Sequence, residues 1–439
     1  MSSRLDFIIR GATVLTPEGP IRADLGVAEG RIAALAPELI GVSAAAEVDA
    51  RGCWLVPGMI DAHVHFNEPG RTAWEGFATG TAAAAAGGVT TVFDMPLNSS
   101  PATLTPAAYH AKRACADAAA AVKVRLWGGL VPGNLDQLAA LHACGVVGYK
   151  AFMSNSGIDE FARSDHATLR AGMKIIAGLP GMCLAVHAED EALTAQLGAE
   201  ARVAGRGAPR DFAASRPIEA ELRAIRDVLE LAGETGCPLH IVHVSCAEGL
   251  ALVAAAKARG VDVTAETCPH YLTLTVDDLE RLGALAKCAP PLREAGDREA
   301  LWAALARGEV DTIGSDHSPC SPDMKSGRPF AEAWGGISGV QHSVPLLYSE
   351  AEARGVPFAR IADLLAAAPA RRFGLGPDAG VLRVGAPADL CLLVPTGGAV
   401  IGREELRDRH RHSPYVGRPL TWAVARTWVD GREVFRAAV

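Results

Sequence analysis

A chain of 439 residues, 49% apolar and 21% charged, has the composition of a globular protein able to bury a large core, which excludes a disordered or fibrous protein. Its net charge of −8 includes no block of Lys or Arg, which argues against nucleic acid or an anionic membrane surface as a partner. No apolar run approaches the ~18 residues of a membrane-spanning helix.

Charge interrupts Met1–Arg10 before the apolar region of a leader could form. The ten scattered cysteines include no Cys-x-x-Cys pair, so thiols in a reducing, cytoplasmic compartment are expected. Residues 1–53 read as a small β module: Phe7-Ile8-Ile9, Thr13-Val14-Leu15, Asp24–Val27, and Arg31–Leu35 after a Glu29-Gly30 turn. Over 54–380 the pattern changes to apolar strands alternating with helical stretches. Eight strands are predicted, at Trp54–Ile60, Val89–Phe93, Val124–Trp127, Val146–Tyr149, Cys183–Val186, Leu239–Val242, Val261–Ala265 and Val310–Ile313. Among the helices Pro217–Thr235 is the clearest, with apolar Ile218, Leu222, Ile225 and Leu229 at helical spacing and Gly236 as a stop. Residues 381–439 return to strands, with Asp389–Val394 and a Thr427–Val434 hairpin about Asp430-Gly431. The expected fold is α/β: a (β/α)8 barrel inserted into a β-sandwich domain built from both chain ends.

In such a barrel the C-terminal strand ends converge on one mouth, so titratable residues there are the candidates for chemistry. They are His63 and His65 on strand 1, Lys150 on strand 4, His187 on strand 5, His243 on strand 6 and Asp316 on strand 8. His63 and His65, two apart in a strand, point to the same side and make a metal-ligand pair. His240 competes with His243, which is preferred because it ends its run. Taken singly, each residue has an ordinary role as a solvated charge, a cap or a core histidine; falling together on one face, they point to a metal site. Four imidazoles and a carboxylate exceed what one catalytic Zn²⁺ takes, and two ions about 3.5–4 Å apart fit better. A bridging ligand is still needed, and a free ammonium cannot serve.

The motifs around these residues resemble the cyclic amidohydrolases, which include dihydroorotase, hydantoinase, dihydropyrimidinase and allantoinase. They are Asp61–Gly70, Gly148–Met153, Val186–Glu189, His240–Ser245 and Ser315–Pro319, and the likeness covers nearly the whole chain. It implies that CO₂ carboxylates Lys150 and that the carbamate bridges two divalent ions, Zn²⁺ by expectation. His63, His65 and Asp316 would then hold one ion, and His187 and His243 the other. A bridging hydroxide would attack a ring carbonyl while Asp316 carries the proton. Glu189 and Asp190 could orient His187, or could be solvated loop charges.

Within the group the chain most resembles the allantoinase branch, through Glu68–Gly76, Met95–Asn98, Ala333–Gly339 and Arg409–Tyr415. Dihydroorotases carry an arginine where this chain has Asn67, and hydantoinases a tyrosine where it has Asn155. The substrate implied is a small cyclic ureide, allantoin, and the resemblance also implies a homotetramer. The alternatives are a hydantoinase or dihydropyrimidinase acting on other cyclic ureides, and a binding scaffold that has lost catalysis. Substrate contacts are expected from Asn155, Cys288 and Ser318. Cys288 could equally be a small buried residue.

Overall fold

The computed structural model describes residues 4–438; Met1–Ser3, part of the stretch read for a leader, lie outside them. The strands in chain order are β1 (Leu5–Thr16), β2 (Gly19–Ala28), β3 (Arg31–Ala36), β4 (Ala44–Asp49), β5 (Trp54–Pro57), β6 (Met59–Val64), β7 (Val89–Asp94), β8 (Lys123–Leu126) and β9 (Gly128–Gly129). They continue as β10 (Tyr149–Phe152), β11 (Leu184–His187), β12 (Leu239–Ile241), β13 (Val263–Thr267), β14 (Thr312–Ile313), β15 (Leu390–Pro395), β16 (Trp422–Val429) and β17 (Arg432–Arg436).

From β6 to β14 the strands pair in parallel, each with the next in sequence, except that β8 and β9 are consecutive pieces of one strand interrupted at Trp127. The ring closes where Val64 bridges His317 in parallel and the His65 amide donates to the His317 carbonyl at 2.7 Å. This is the expected barrel. β6, β7, β10 and β11 are buried along their whole length, which is why they read as unbroken apolar runs.

The two chain ends form a separate sheet in the order β17-β16-β15-β5-β1-β2-β3, with β4 beside β1. Stacking of Phe7 on Trp428, with centroids 5.6 Å apart, ties its N-terminal half to its C-terminal half. The strand expected at Val146–Tyr149 is instead Tyr149–Phe152, which places Lys150 inside it, and a second run differs further. The run Trp54–Ile60 is two strands: β5 pairs with β1 and β15 in the terminal sheet, and β6 pairs with β7 in the barrel. Pro57 has no amide to continue a ladder, and Gly58 sits where a Cβ would lie 2.2 Å from a methyl carbon of Thr90. The chain changes sheets at that dipeptide.

Below the barrel mouth, the wholly buried Lys112 pairs with Asp94 at 2.6 Å, and Asp94 accepts the Phe66 amide at 2.7 Å. Burying two charges is tolerable only when each is matched. Here the matched pair fixes the backbone just after His65. Among the described residues no helix is long and apolar enough to cross a membrane.

Candidate active site

His63 lies near the end of β6, His65 one residue beyond it, and Asp316 three residues beyond β14. His63 Nε2 is 3.3 Å and His65 Nε2 3.4 Å from Asp316 Oδ1. Glu266, from β13, accepts at His63 Nδ1 at 2.7 Å. With the ring proton committed there, His63 Nε2 turns a lone pair toward a carboxylate oxygen. Two acceptors facing each other in a buried site repel, and a cation between them removes the repulsion. Burial opposes ionisation of Asp316, and only protonated His63, His65 and His243 would hold its carboxyl below the usual carboxylate range, a part that a bound cation takes when the imidazoles are neutral. Burial lowers the pKa of His65, which favours the neutral, ligating imidazole.

His187 and His243 form a second group. His187 Nδ1 lies 3.0 Å from His243 Nε2, and the His63 and His243 rings are 5.5 Å apart, so the two groups adjoin. On its other side His187 Nε2 meets Glu189 Oε2 at 2.7 Å, and Arg216 pairs with the same carboxylate oxygen. Glu189 is therefore a buried orienting partner rather than a solvated loop charge. Asp190 does not reach His187, because its side chain caps the helix Glu191–Val203. His243 and Asp316 have φ of 42° and 45°. Such left-handed backbone costs non-glycine residues about 1–3 kcal/mol each and gathers at functional sites. His240 stands behind Glu266, with Nδ1 bonded to Thr264 at 2.8 Å and Nε2 3.6 Å from the Glu266 carboxylate that holds His63.

Lys150, on β10, is completely buried, and its Nζ has no hydrogen-bond partner among the described residues. Burial, partly offset by Asp316 and Glu266, pushes the ammonium down to about 7. An unpartnered buried amine beside two histidine groups is a group awaiting a ligand or a modification. The donor set of four imidazoles and a carboxylate suits divalent metal. Among the described residues His63, His65 and Asp316 already bring ligand atoms within 4.8 Å of one another.

The model of the amidohydrolase family matches residues 54–434. The chain belongs to that family. It is 51% identical to an allantoinase of Rubrobacter xylanophilus over 434 residues, covering 99% of this chain and 95% of the relative. It is 48% identical to an allantoinase of Solibacter usitatus, covering 98% and 93%. Among solved structures, an L-hydantoinase (dihydropyrimidinase) from Arthrobacter aurescens matches with a TM-score of 0.95 at 33% identity, covering 99% of this chain and 97% of the other. The chain is thus a hydrolase acting on cyclic amides.

A cavity of about 370 Å³ opens over both histidine groups of this amidohydrolase. Asn155, Cys288 and Ser318 all line it. Asn155 is exposed, and its amide oxygen is occupied by the Gly157 amide at 2.9 Å, which limits it to its NH₂ as a substrate contact. Cys288 is buried and its thiol is pushed up to about 12, chiefly by that burial, so it is no nucleophile. Sequence reasoning missed Glu266, Arg216, Phe212 and the Ala331-Glu332 part of the cavity wall, and read Ala333–Gly339 only as a family motif without placing it at the cavity. A carboxylate near the end of β13, Val263-Thr264-Ala265-Glu266-Thr267, was the available signal for Glu266.

Proposed function

We propose that this amidohydrolase opens the hydantoin ring of allantoin by hydrolysis, giving allantoate. The observation that carries the site chemistry is Lys150, buried, without a hydrogen-bond partner among the described residues, and near enough to Asp316 and to His187 and His243 to interact with them electrostatically. The likeness to allantoinases at 51% and 48% identity supports the substrate. Two divalent ions, Zn²⁺ by the family resemblance, would be held by His63, His65 and Asp316 on one side and by His187 and His243 on the other. Lys150 would bridge them once its neutral amine has added to CO₂, forming an N–C bond and losing one proton to give an anionic carbamate. When bound, such ions polarise an amide carbonyl and lower the pKa of water toward neutrality.

The protein's own groups do the rest. Asp316, kept ionised, takes the proton of the attacking water and returns it to the ring nitrogen as the C–N bond breaks. Glu266 and Glu189 hold His63 and His187 in the tautomers that leave the facing nitrogens free to ligate.

A second reading, action on hydantoin or dihydropyrimidine rings, is favoured by the fold's likeness to the Arthrobacter aurescens enzyme. A parallel assay of allantoin, hydantoin, dihydrouracil and dihydroorotate on metal-loaded protein separates the two. Allantoin is expected to lead in kcat/KM by at least about tenfold. A preference for dihydrouracil would overturn the choice.

Cytoplasmic residence is inferred from cysteines that are all free. A homotetramer is inferred from the family resemblance, and light scattering should give the mass of four chains; a monomeric mass excludes it.

A further inference from the structure

Two lysines beside the cavity break the usual rule that a buried ammonium is paired with a carboxylate. Lys287 is 5% and Lys325 7% exposed, and among the described residues neither makes an ion pair. Their partners are main-chain carbonyls. Lys287 Nζ donates to Phe330 at 2.7 Å, Ala331 at 3.1 Å and Ala333 at 2.6 Å. Lys325 Nζ donates to Ala284 at 2.8 Å, Trp334 at 3.1 Å and Gly336 at 2.7 Å. Each ammonium thus uses all three of its protons.

The segment receiving these bonds has no ladder of its own. Residues 325–336 contain neither strand nor α-helix, so their carbonyls must find donors elsewhere. The Lys287 ammonium also lies 4.9 Å from the Phe212 ring centre and 5.0 Å from that of Phe330, a cation–π sandwich joining two walls of the cavity. Ala331, Glu332, Ala333, Trp334, Gly335 and Gly336 face the cavity directly. Trp334 packs edge-on against Trp74, with centroids 5.0 Å apart. Burial pushes both ammoniums down to about 8, so keeping them charged there costs free energy that the carbonyl cradles offset.

We propose that Lys287 and Lys325 are positioning residues of the reaction: two buried ammoniums that clamp Phe330–Gly336 as the roof of the substrate cavity and so set how tightly the ring is held. The proposal rests on the reading of the cavity as the site of ring hydrolysis. The roof acts on binding, since neither lysine touches the His63, His65 and Asp316 group. Removing a clamp should therefore weaken substrate binding without removing the chemistry.

The test uses metal-loaded full-length Lys287→Met and Lys325→Met proteins. In each, KM for the best substrate of the four-compound assay should rise about tenfold while kcat changes less than about threefold. Metal content should stay at the wild-type value, and deuterium uptake by 330–336 should accelerate. KM within about twofold of wild type in a folded variant, or a loss confined to kcat, would overturn the proposal. Should a variant not fold, hydrogen exchange of the wild-type protein still decides. Slow exchange is expected at Glu332, Ala333 and Trp334, whose amides donate to Pro329 and Met324 only while the segment is held in place, and exchange at the rate of an unstructured peptide refutes the clamp. Because the assay identifies the substrate first, a preference for dihydrouracil defeats the allantoin reading and leaves the KM test intact.

Discussion

Replacing Asp316 with Asn is expected to cut kcat by about a thousandfold or more in a chain that still folds. Asn has the same shape and keeps an oxygen where Oδ1 faces His63 and His65, so packing at the end of β14 is preserved. What disappears is the charge and the ability to take a proton. Asp316 suits that task because Oδ1 sits 3.3 Å from His63 Nε2 and 3.4 Å from His65 Nε2, where a bound cation would keep the carboxylate ionised. Steady-state kinetics on protein of measured metal content checks the point. Activity within about tenfold of wild type would remove Asp316 from the proton-transfer role. Loss of activity together with all metal would reduce it to a ligand.

The barrel and the residues at its mouth were legible for one physical reason. Parallel strands covered by helices are buried on both faces, so β6, β7, β10 and β11 appear as apolar runs, and a polar residue at the end of such a run stands out. The choice of His243 over His240 followed from the same logic. His240 lies inside β12 and is occupied by Thr264, whereas His243 lies beyond the strand and faces His187.

What stayed hidden depends on contacts remote in sequence. The roof of the cavity has no periodicity, and its donors, Lys287 and Lys325, are ordinary lysines until folding brings carbonyls around them. Glu266 serves His63 across 203 positions of chain. The outward turn of Asn155 was readable in principle, because an Asn two residues before a Gly favours a turn closed by its own side chain. The division between β5 and β6 could also have been read from Pro57-Gly58, had the dipeptide been weighed against the apolar run that contains it.

Lys150→Ala should lose most bound metal and at least about a thousandfold in kcat/KM, and a short carboxylic acid added to the buffer should restore part of both. The substitution removes a side chain that is wholly buried and leaves a space beside two histidine groups into which a small carboxylate fits. If Lys150 acted as an ammonium, an added amine would rescue and a carboxylate would not. The wild-type protein gives the complementary result through pH. Burial pushes the Lys150 ammonium down to about 7 from the ordinary value of 10.5. Only the neutral amine adds to CO₂, so carboxylation is suppressed below pH 7, rises through about 7 and levels off above it. With dissolved CO₂ held constant, metal-free protein at pH 6 should therefore form carbamate about tenfold more slowly than on the plateau. An exposed lysine would instead gain about tenfold per pH unit up to its ordinary value. Carbon-13 NMR with labelled CO₂ follows the reaction directly. A rate still climbing at pH 9 would refute the lowered pKa of Lys150. Rescue of Lys150→Ala by amines alone would contradict the carbamate bridge and leave two bound cations without the anion that their charge requires.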